Sequence, residues 1–296
     1  MNKKTNLVIV PCHSIWKIDD RLDSENYGQC SEHWFLAPFQ YEGHDHLAFI
    51  MHSLLAIEKL LEDVSGSLLL FSGSCTKADA GQVSEAQSYL SLTLKLLTAV
   101  TNGIELPVSL KNSTDIYKVC ERITENMKYQ GLSVTELFAK HISTEEFALD
   151  SFDNLLYSLA RFHELTLNYP SSVTIVGFGF KTKRFLQCHA CAIDYPLSKI
   201  EYLSYEPKPQ YSETEKIEAY FNDLKHQENK NALELFALDW YGTKEPLRSK
   251  KTKRNPFALS QNYKLPLKLE KPILNDKEFF ETKIQGKMPW SSLSHI

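Results

Sequence analysis

Ser67-Leu68-Leu69-Leu70-Phe71-Ser72-Gly73-Ser74 decides the fold class, because its unbroken apolar run leaves neither side of an extended chain for water. A strand with one wet face alternates apolar and polar residues, whereas a strand covered on both faces by helices reads as a continuous run. The run stops at Ser72-Gly73-Ser74, which is turn chemistry. Leu7-Val8-Ile9-Val10 is a second run of the same kind, halted by Pro11, and Val173-Thr174-Ile175-Val176 is a third, followed by Gly177-Phe178-Gly179.

Between these runs lie stretches of helical period. Residues 46–64 repeat apolar positions at Leu47, Ile50, Met51, Leu54, Leu55, Ile57, Leu60 and Leu61. Further helices are expected at 84–97, 115–128, 134–142 and 151–166, the last with Leu155, Leu156, Leu159, Phe162 and Leu165 as its packing stripe. A helix at 181–193 and a strand at 200–204 complete the alternation. Strands separated by crossover helices predict a Rossmann-like three-layer α/β/α domain with a mainly parallel sheet over residues 1–205. After Pro207 and Pro209 the pattern changes to two charged helices, at 213–225 and 231–239, and a proline-containing tail. Trp240, Tyr241, Phe257, Tyr263 and Trp290 are too aromatic for a solvated linker, so residues 206–296 are expected to form a helical and extended cap packed on the core.

Of the 296 residues, 43% are hydrophobic and 24% charged, the balance of a soluble globular chain. A net charge of −4 gives no general attraction for a polyanion, so nucleic acid is not an expected partner. No apolar run approaches the ~20 residues that span a bilayer, and the run at 7–10 is too short for an export signal. The expectation is a cytosolic protein, with the nucleus as the alternative, whose six cysteines are reduced thiols.

In an open parallel sheet, ligands bind outside the carboxyl ends of the strands. Pro11-Cys12-His13-Ser14, Ser72-Gly73-Ser74 and Gly177-Phe178-Gly179 stand at those ends. Glycine lets a backbone approach a ligand and serine offers a hydroxyl, although the same turns also serve as ordinary loops. Ser84 reads as a helix N-cap, and Glu85 either complements the helix dipole or faces the cleft. Asp150 and Ser151 pose the same choice at the next helix. Lys181 and Arg184, three apart, suit an anion, with arginine gripping phosphate or carboxylate by its planar fork.

Other motifs carry less. Cys188-His189-Ala190-Cys191 lacks the second cysteine pair of a zinc site, so no metal is expected. His44-Asp45-His46 reads as a loop or helix cap. Cys12 and His13 are adjacent on an extended chain, point oppositely and would not form a dyad. Arg248, Lys250, Lys251, Lys253 and Arg254 form one basic run, read as a solvated tail.

Taken in order, the segments at 7–11, 68–73, 84–86, 145–154 and 173–184 resemble the domain of unknown function 218 family over about residues 6–205. Many bacterial members read Glu-x-x-Ser-x-Asn-Thr-x-Glu-Asn, where this chain has Glu145, Ala148, Asp150, Ser151, Asp153 and Asn154. Lys181 stands where those members carry histidine before the arginine. The Phe180-Lys181-x-x-Arg184-Phe185 form is similar to the eukaryotic, especially fungal, branch. The resemblance implies a Rossmann-like fold and makes S-adenosylmethionine a candidate ligand, since a bacterial relative binds it, without implying methyl transfer.

The expected function is therefore binding of a small anionic or nucleotide-like metabolite at the strand ends, with transfer or hydrolysis as the chemistry to test. Glu85 and Glu145 would act as base or orient polar groups. Pro11, Cys12, His13, Ser72, Gly73, Ser74, Ser84, Ser151, Asn154, Gly177, Lys181 and Arg184 would hold the ligand. The rival is a non-catalytic metabolite sensor or protein-interaction module. Oligomeric state is left open by the sequence.

Overall fold

A computed structural model of the chain describes residues 3–112, 114–269 and 272–292. Its sheet comprises β1 (Asn6–Pro11), β2 (Ser67–Ser72), β3 (Ile142–Glu145), β4 (Ser172–Gly177) and β5 (Ile200–Ser204), in the order β3-β2-β1-β4-β5 and parallel throughout. Leu7 lies beside Leu68 on one side and Val173 on the other, so the three apolar runs are the three central strands.

Alternation along β1 explains why its run is unbroken. Val8 and Val10 face one helical layer, with Leu69 and Phe71, while Leu7 and Ile9 face the other with Leu68 and Leu70. The first layer contains α1 (Asp45–Glu62), α2 (Glu85–Thr101), α3 (Val108–Asn112), α4 (Thr114–Tyr129) and α5 (Val134–His141). On the opposite face lies α6 (Ser151–Thr166), whose Phe152, Leu155, Leu156, Leu159 and Phe162 are buried against the sheet. This is a three-layer α/β fold.

The expected helix at 134–142 ends one residue earlier, and the segment after it, for which no element was expected, is the edge strand β3. Four residues with two partly exposed positions carry too little apolar pattern to announce a strand. The expected helix at 181–193 is a 3-10 turn, Gly179–Lys181, followed by a π-helical segment, Arg184–Ala190.

The cap consists of α7 (Thr214–Glu228), a π-helical turn (Asn229–Leu233), α8 (Glu234–Leu238), α9 (Leu247–Lys253), α10 (Asp276–Phe279) and a π-helical turn (Phe280–Ile284). It shares a hydrophobic cluster with the core: Phe236, Tyr241, Leu247, Leu267, Ile284 and Trp290 pack with α6 and β1. Trp290 is buried completely, and its indole N–H donates to the Ile193 carbonyl at 2.8 Å, tying the cap to the end of the π-helical segment. No helix among the described residues is long and apolar enough to cross a membrane.

Candidate functional site

Strands β1, β2 and β3 progress toward one edge of the sheet and β4 and β5 toward the other, so connections from β1 and β4 diverge at their carboxyl ends. That divergence opens a crevice where doubly wound sheets take ligands. A cavity of about 1080 Å³ occupies it. Its floor is Pro11, Cys12 and His13 after β1, and Phe178, Phe180 and Lys181 after β4; α2 contributes Glu85, α6 contributes Ser151 and Asn154, and Arg184 stands beside them. The roof is the cap, through Tyr220, Leu224 and Glu228 of α7, Asn231, and Lys250 and Arg254 around α9.

At the divergence, His13 stacks on Phe178 with ring centroids 5.3 Å apart and planes 17° from parallel. Lys181 Nζ lies 3.2 and 3.3 Å from the two nitrogens of that imidazole, above the rings of Phe178 and Phe180. Burial, then the Lys181 charge, holds the His13 pKa well below the usual histidine value, so the ring is neutral. Burial, then Arg184, brings Lys181 itself down to about 7. Asp45 lines the same cavity at the first turn of α1. Its Oδ1 is buried without a hydrogen-bond partner, and burial pushes the carboxyl up to about 7.

Arg184 is already engaged. Its Nε and Nη2 donate to Glu228 Oε1 and Oε2 at 2.8 and 2.5 Å, and Nη1 donates to Ser151 Oγ at 3.3 Å. Ser151 Oγ lies 2.7 Å from His189 Nε2. The π-helical turn brings residues five apart, Arg184 and His189, to this one hydroxyl. His189 is wholly buried among Phe152, Phe185 and Phe236, and burial holds its pKa well down. A base sealed from the cavity orients Ser151 but cannot pass a proton to a leaving group.

Glu145, expected as a base, is built into the wall beneath the cavity. Its Oε2 accepts the Ser72 hydroxyl at 2.6 Å, and Oε1 accepts the backbone N–H groups of Phe147 and Ala148 at 2.7 and 3.2 Å. Asn154 Nδ2 donates to the Ser72 carbonyl and hydroxyl at 3.0 and 2.9 Å, locking α6 to the end of β2. Ser84 is the N-cap of α2, receiving the Gln87 N–H, and donates to Glu146. Gly73 is required by packing rather than by a ligand, since a Cβ there would lie 2.8 Å from Glu85 Oε2 and 3.2 Å from the Cys12 Cβ. Gly177 is likewise covered by the Tyr202 hydroxyl.

The expected single cleft thus unites Pro11, Cys12, His13, Glu85, Ser151, Asn154, Lys181 and Arg184. Ser72, Gly73, Ser74, Ser84, Glu145 and Gly177 do not line it.

No protein-family model matches the sequence, and no solved structure matches it. The chain is 47% identical over 302 residues to the uncharacterized protein YOR238W of Saccharomyces cerevisiae, with 99% of each chain covered. The chain belongs to the family of that yeast protein. The match runs through the cap as well as the core, so the roofed cleft is made from segments that both family members possess.

The basic run, expected as a solvated tail, forms α9, with Arg248, Lys253 and Arg254 exposed and Lys251 turned inward. Lys251 Nζ sits between two buried carboxylates, 2.7 Å from Asp153 Oδ1 and 3.2 Å from Asp150 Oδ2. Arg254 Nη1 donates to the Leu149 carbonyl at 3.0 Å. Asp150 is meanwhile the N-cap of α6. Sequence reading did not single out Glu228, and it gave Asp45, His189 and Lys251 other roles, in a helix cap, a cysteine motif and a solvated tail. The only local signals were a carboxylate opening α1 and a lysine within a cationic run, both common on ordinary surfaces.

Proposed function

We propose that the cleft binds a small anionic metabolite, with its charged end toward Lys181, Arg184 and Arg254. The observation that carries this reading is the convergence of those cations on a cavity at the divergence of β1 and β4. Its volume is of the order that accommodates metabolites and nucleotides.

The anion is directed to the Lys181 side by what stands opposite. After β1 the chain reads Pro11-Cys12-His13-Ser14, without the glycines of a pyrophosphate cradle, and α1 opens with Asp45. The Asp45 side chain already occupies the positive end of the helix dipole, the position a phosphate would take. The stacked His13 and Phe178 offer an aromatic face to a planar group. S-adenosylmethionine is among the ligands such a cleft would fit, a suggestion that rests on the resemblance to the domain of unknown function 218 family.

Hydrolysis through Cys12 or Ser151 is disfavoured. Burial and then Glu85 push the Cys12 thiol well up, and the base behind Ser151 is sealed. Native mass spectrometry of protein purified from its own cells would identify a retained ligand. Calorimetric titration with S-adenosylmethionine, ATP and oxalate should then find at least one that binds wild type and is lost in Lys181→Met. Equal binding in both proteins, or none with any of the three, would overturn the reading.

A further inference from the structure

Lys181 differs from an ordinary anion-binding lysine in what surrounds it. Its ammonium group makes no ion pair among the described residues, and its nitrogen rests against an imidazole and two phenyl rings. The carboxylates nearest in charge are otherwise placed: Glu228 is held by Arg184, and Asp45 stands on the opposite wall at α1. We propose that Lys181 is an amine nucleophile that forms an imine with an anionic aldehyde or ketone held in the cleft. This rests on the anion-binding reading above and names the substrate class.

The groups facing Lys181 come from every wall. His13 follows β1, His52 and Asp45 belong to α1, Glu85 opens α2, Arg184 lies on its own segment, Glu206 follows β5 and accepts the Gly179 N–H, and Glu228 and Arg254 come from the cap. Burial and the Arg184 charge outweigh the carboxylates, leaving the amine near pKa 7. An ordinary lysine is unprotonated in only on the order of one molecule in a thousand at neutral pH. Desolvation beside another cation is an established way to free such an amine for attack on carbonyls.

The chemistry balances without a co-reactant. The Nζ lone pair attacks the carbonyl carbon, a C–N bond forms, and the C=O π pair moves to oxygen. Neutral His13, within hydrogen-bond reach of Nζ, relays the two protons of the amine to the oxygen in turn, the first making a hydroxyl and the second making it water. The oxygen leaves as water when the C=N bond forms. Arg184 and Arg254 face the substrate's carboxylate or phosphate. Ser151, held by Arg184 and His189, is a positioning residue on the same side.

The test uses the full chain, glyoxylate as the anionic aldehyde, cyanoborohydride to trap the imine, and peptide mapping of the labelled lysines. Lys181 should be labelled at neutral pH about tenfold or more faster than exposed Lys183, with a rate that rises through about pH 7. Oxalate should protect it, and the single fast site should vanish in Lys181→Arg. Labelling spread over all lysines according to exposure, or Lys181 reacting only in the alkaline range of Lys183, overturns the imine proposal. In that event, oxalate bound in equilibrium dialysis leaves the anion reading standing, and absence of binding removes both.

Discussion

Arg184 and Glu228 join the α/β core to its cap by a two-toothed ion pair, with side chains only 14% and 6% exposed. Glu228 is the last residue of α7, so the guanidinium that seemed free to meet a ligand is matched by a carboxylate from the roof of the same cavity. An anion approaching Arg184 must share the guanidinium with Glu228 or displace it.

Removing Arg184 alone should therefore cost stability as well as affinity. Arg184→Ala leaves Glu228 buried without its partner, a loss expected to be about 3–5 kcal/mol. Urea unfolding should show that loss, and Arg184→Met with Glu228→Leu should recover most of it. A single-variant change below about 0.5 kcal/mol, the range of a surface substitution, would mean the pair does not hold the cap.

Lys251 makes a parallel case where α9 meets the start of α6. Burial first, and Asp150 second, push Asp153 up to about 6 even with the lysine present. Lys251→Met would leave two carboxylates facing each other at the start of α6, and a destabilisation of about 3–5 kcal/mol is expected. Exposed Lys253→Met is the control and should stay within about 0.5 kcal/mol. Similar values for the two variants would return the basic run to the role of a solvated surface.

The central strands were legible because Leu7–Val10 and Leu68–Phe71 are buried on both faces, and burial on both faces leaves no polar residue to blur the run. β3 was not legible, since Ile142 and Glu145 are its only buried positions. The site divides similarly. His13, Lys181 and Arg184 follow the central strands and could be placed by topology alone. Glu228 reaches the cleft, and Lys251 reaches the start of α6, through long-range packing of the cap, which no local periodicity encodes, and Glu145 has the residue type of a catalytic acid but the hydrogen bonds of a structural one.

Thiol reactivity should follow burial. All six cysteines are free, Cys191 is exposed, and Cys12, Cys75 and Cys120 are buried, with burial pushing Cys120 up to about 12. A disulfide-exchange reagent should find all six thiols in unreduced, unfolded protein. In the folded chain it should modify Cys191 first and Cys12 and Cys120 last. Rapid reaction of Cys12 would mean that its wall of the cavity opens to solvent, and a count below six would point to a bridge between Cys188 and Cys191.

Glu145 gives the sharpest pH dependence. Burial outweighs its three hydrogen bonds and raises the carboxyl from 4.5 to about 7, so the folded chain keeps a proton that the unfolded chain releases near 4.5. The stability from that proton is complete below about pH 4.5 and is lost as pH rises through about 7, a change of order 3 kcal/mol. Asp45, also raised to about 7, loses stability in the same window. Buried His52, lowered to about 4, acts oppositely: its contribution is complete above 6.5 and disappears as pH falls. The readout is therefore the difference between wild type and Glu145→Gln, measured by urea unfolding at about pH 5 and about pH 8, where the other groups cancel. Glutamine cannot ionise, so the variant should gain on wild type by about 2.5 kcal/mol between the two conditions. A difference that does not change with pH would show that the Ser72 hydroxyl and the N–H groups of Phe147 and Ala148 satisfy the carboxylate fully, and that Glu145 is ionised throughout.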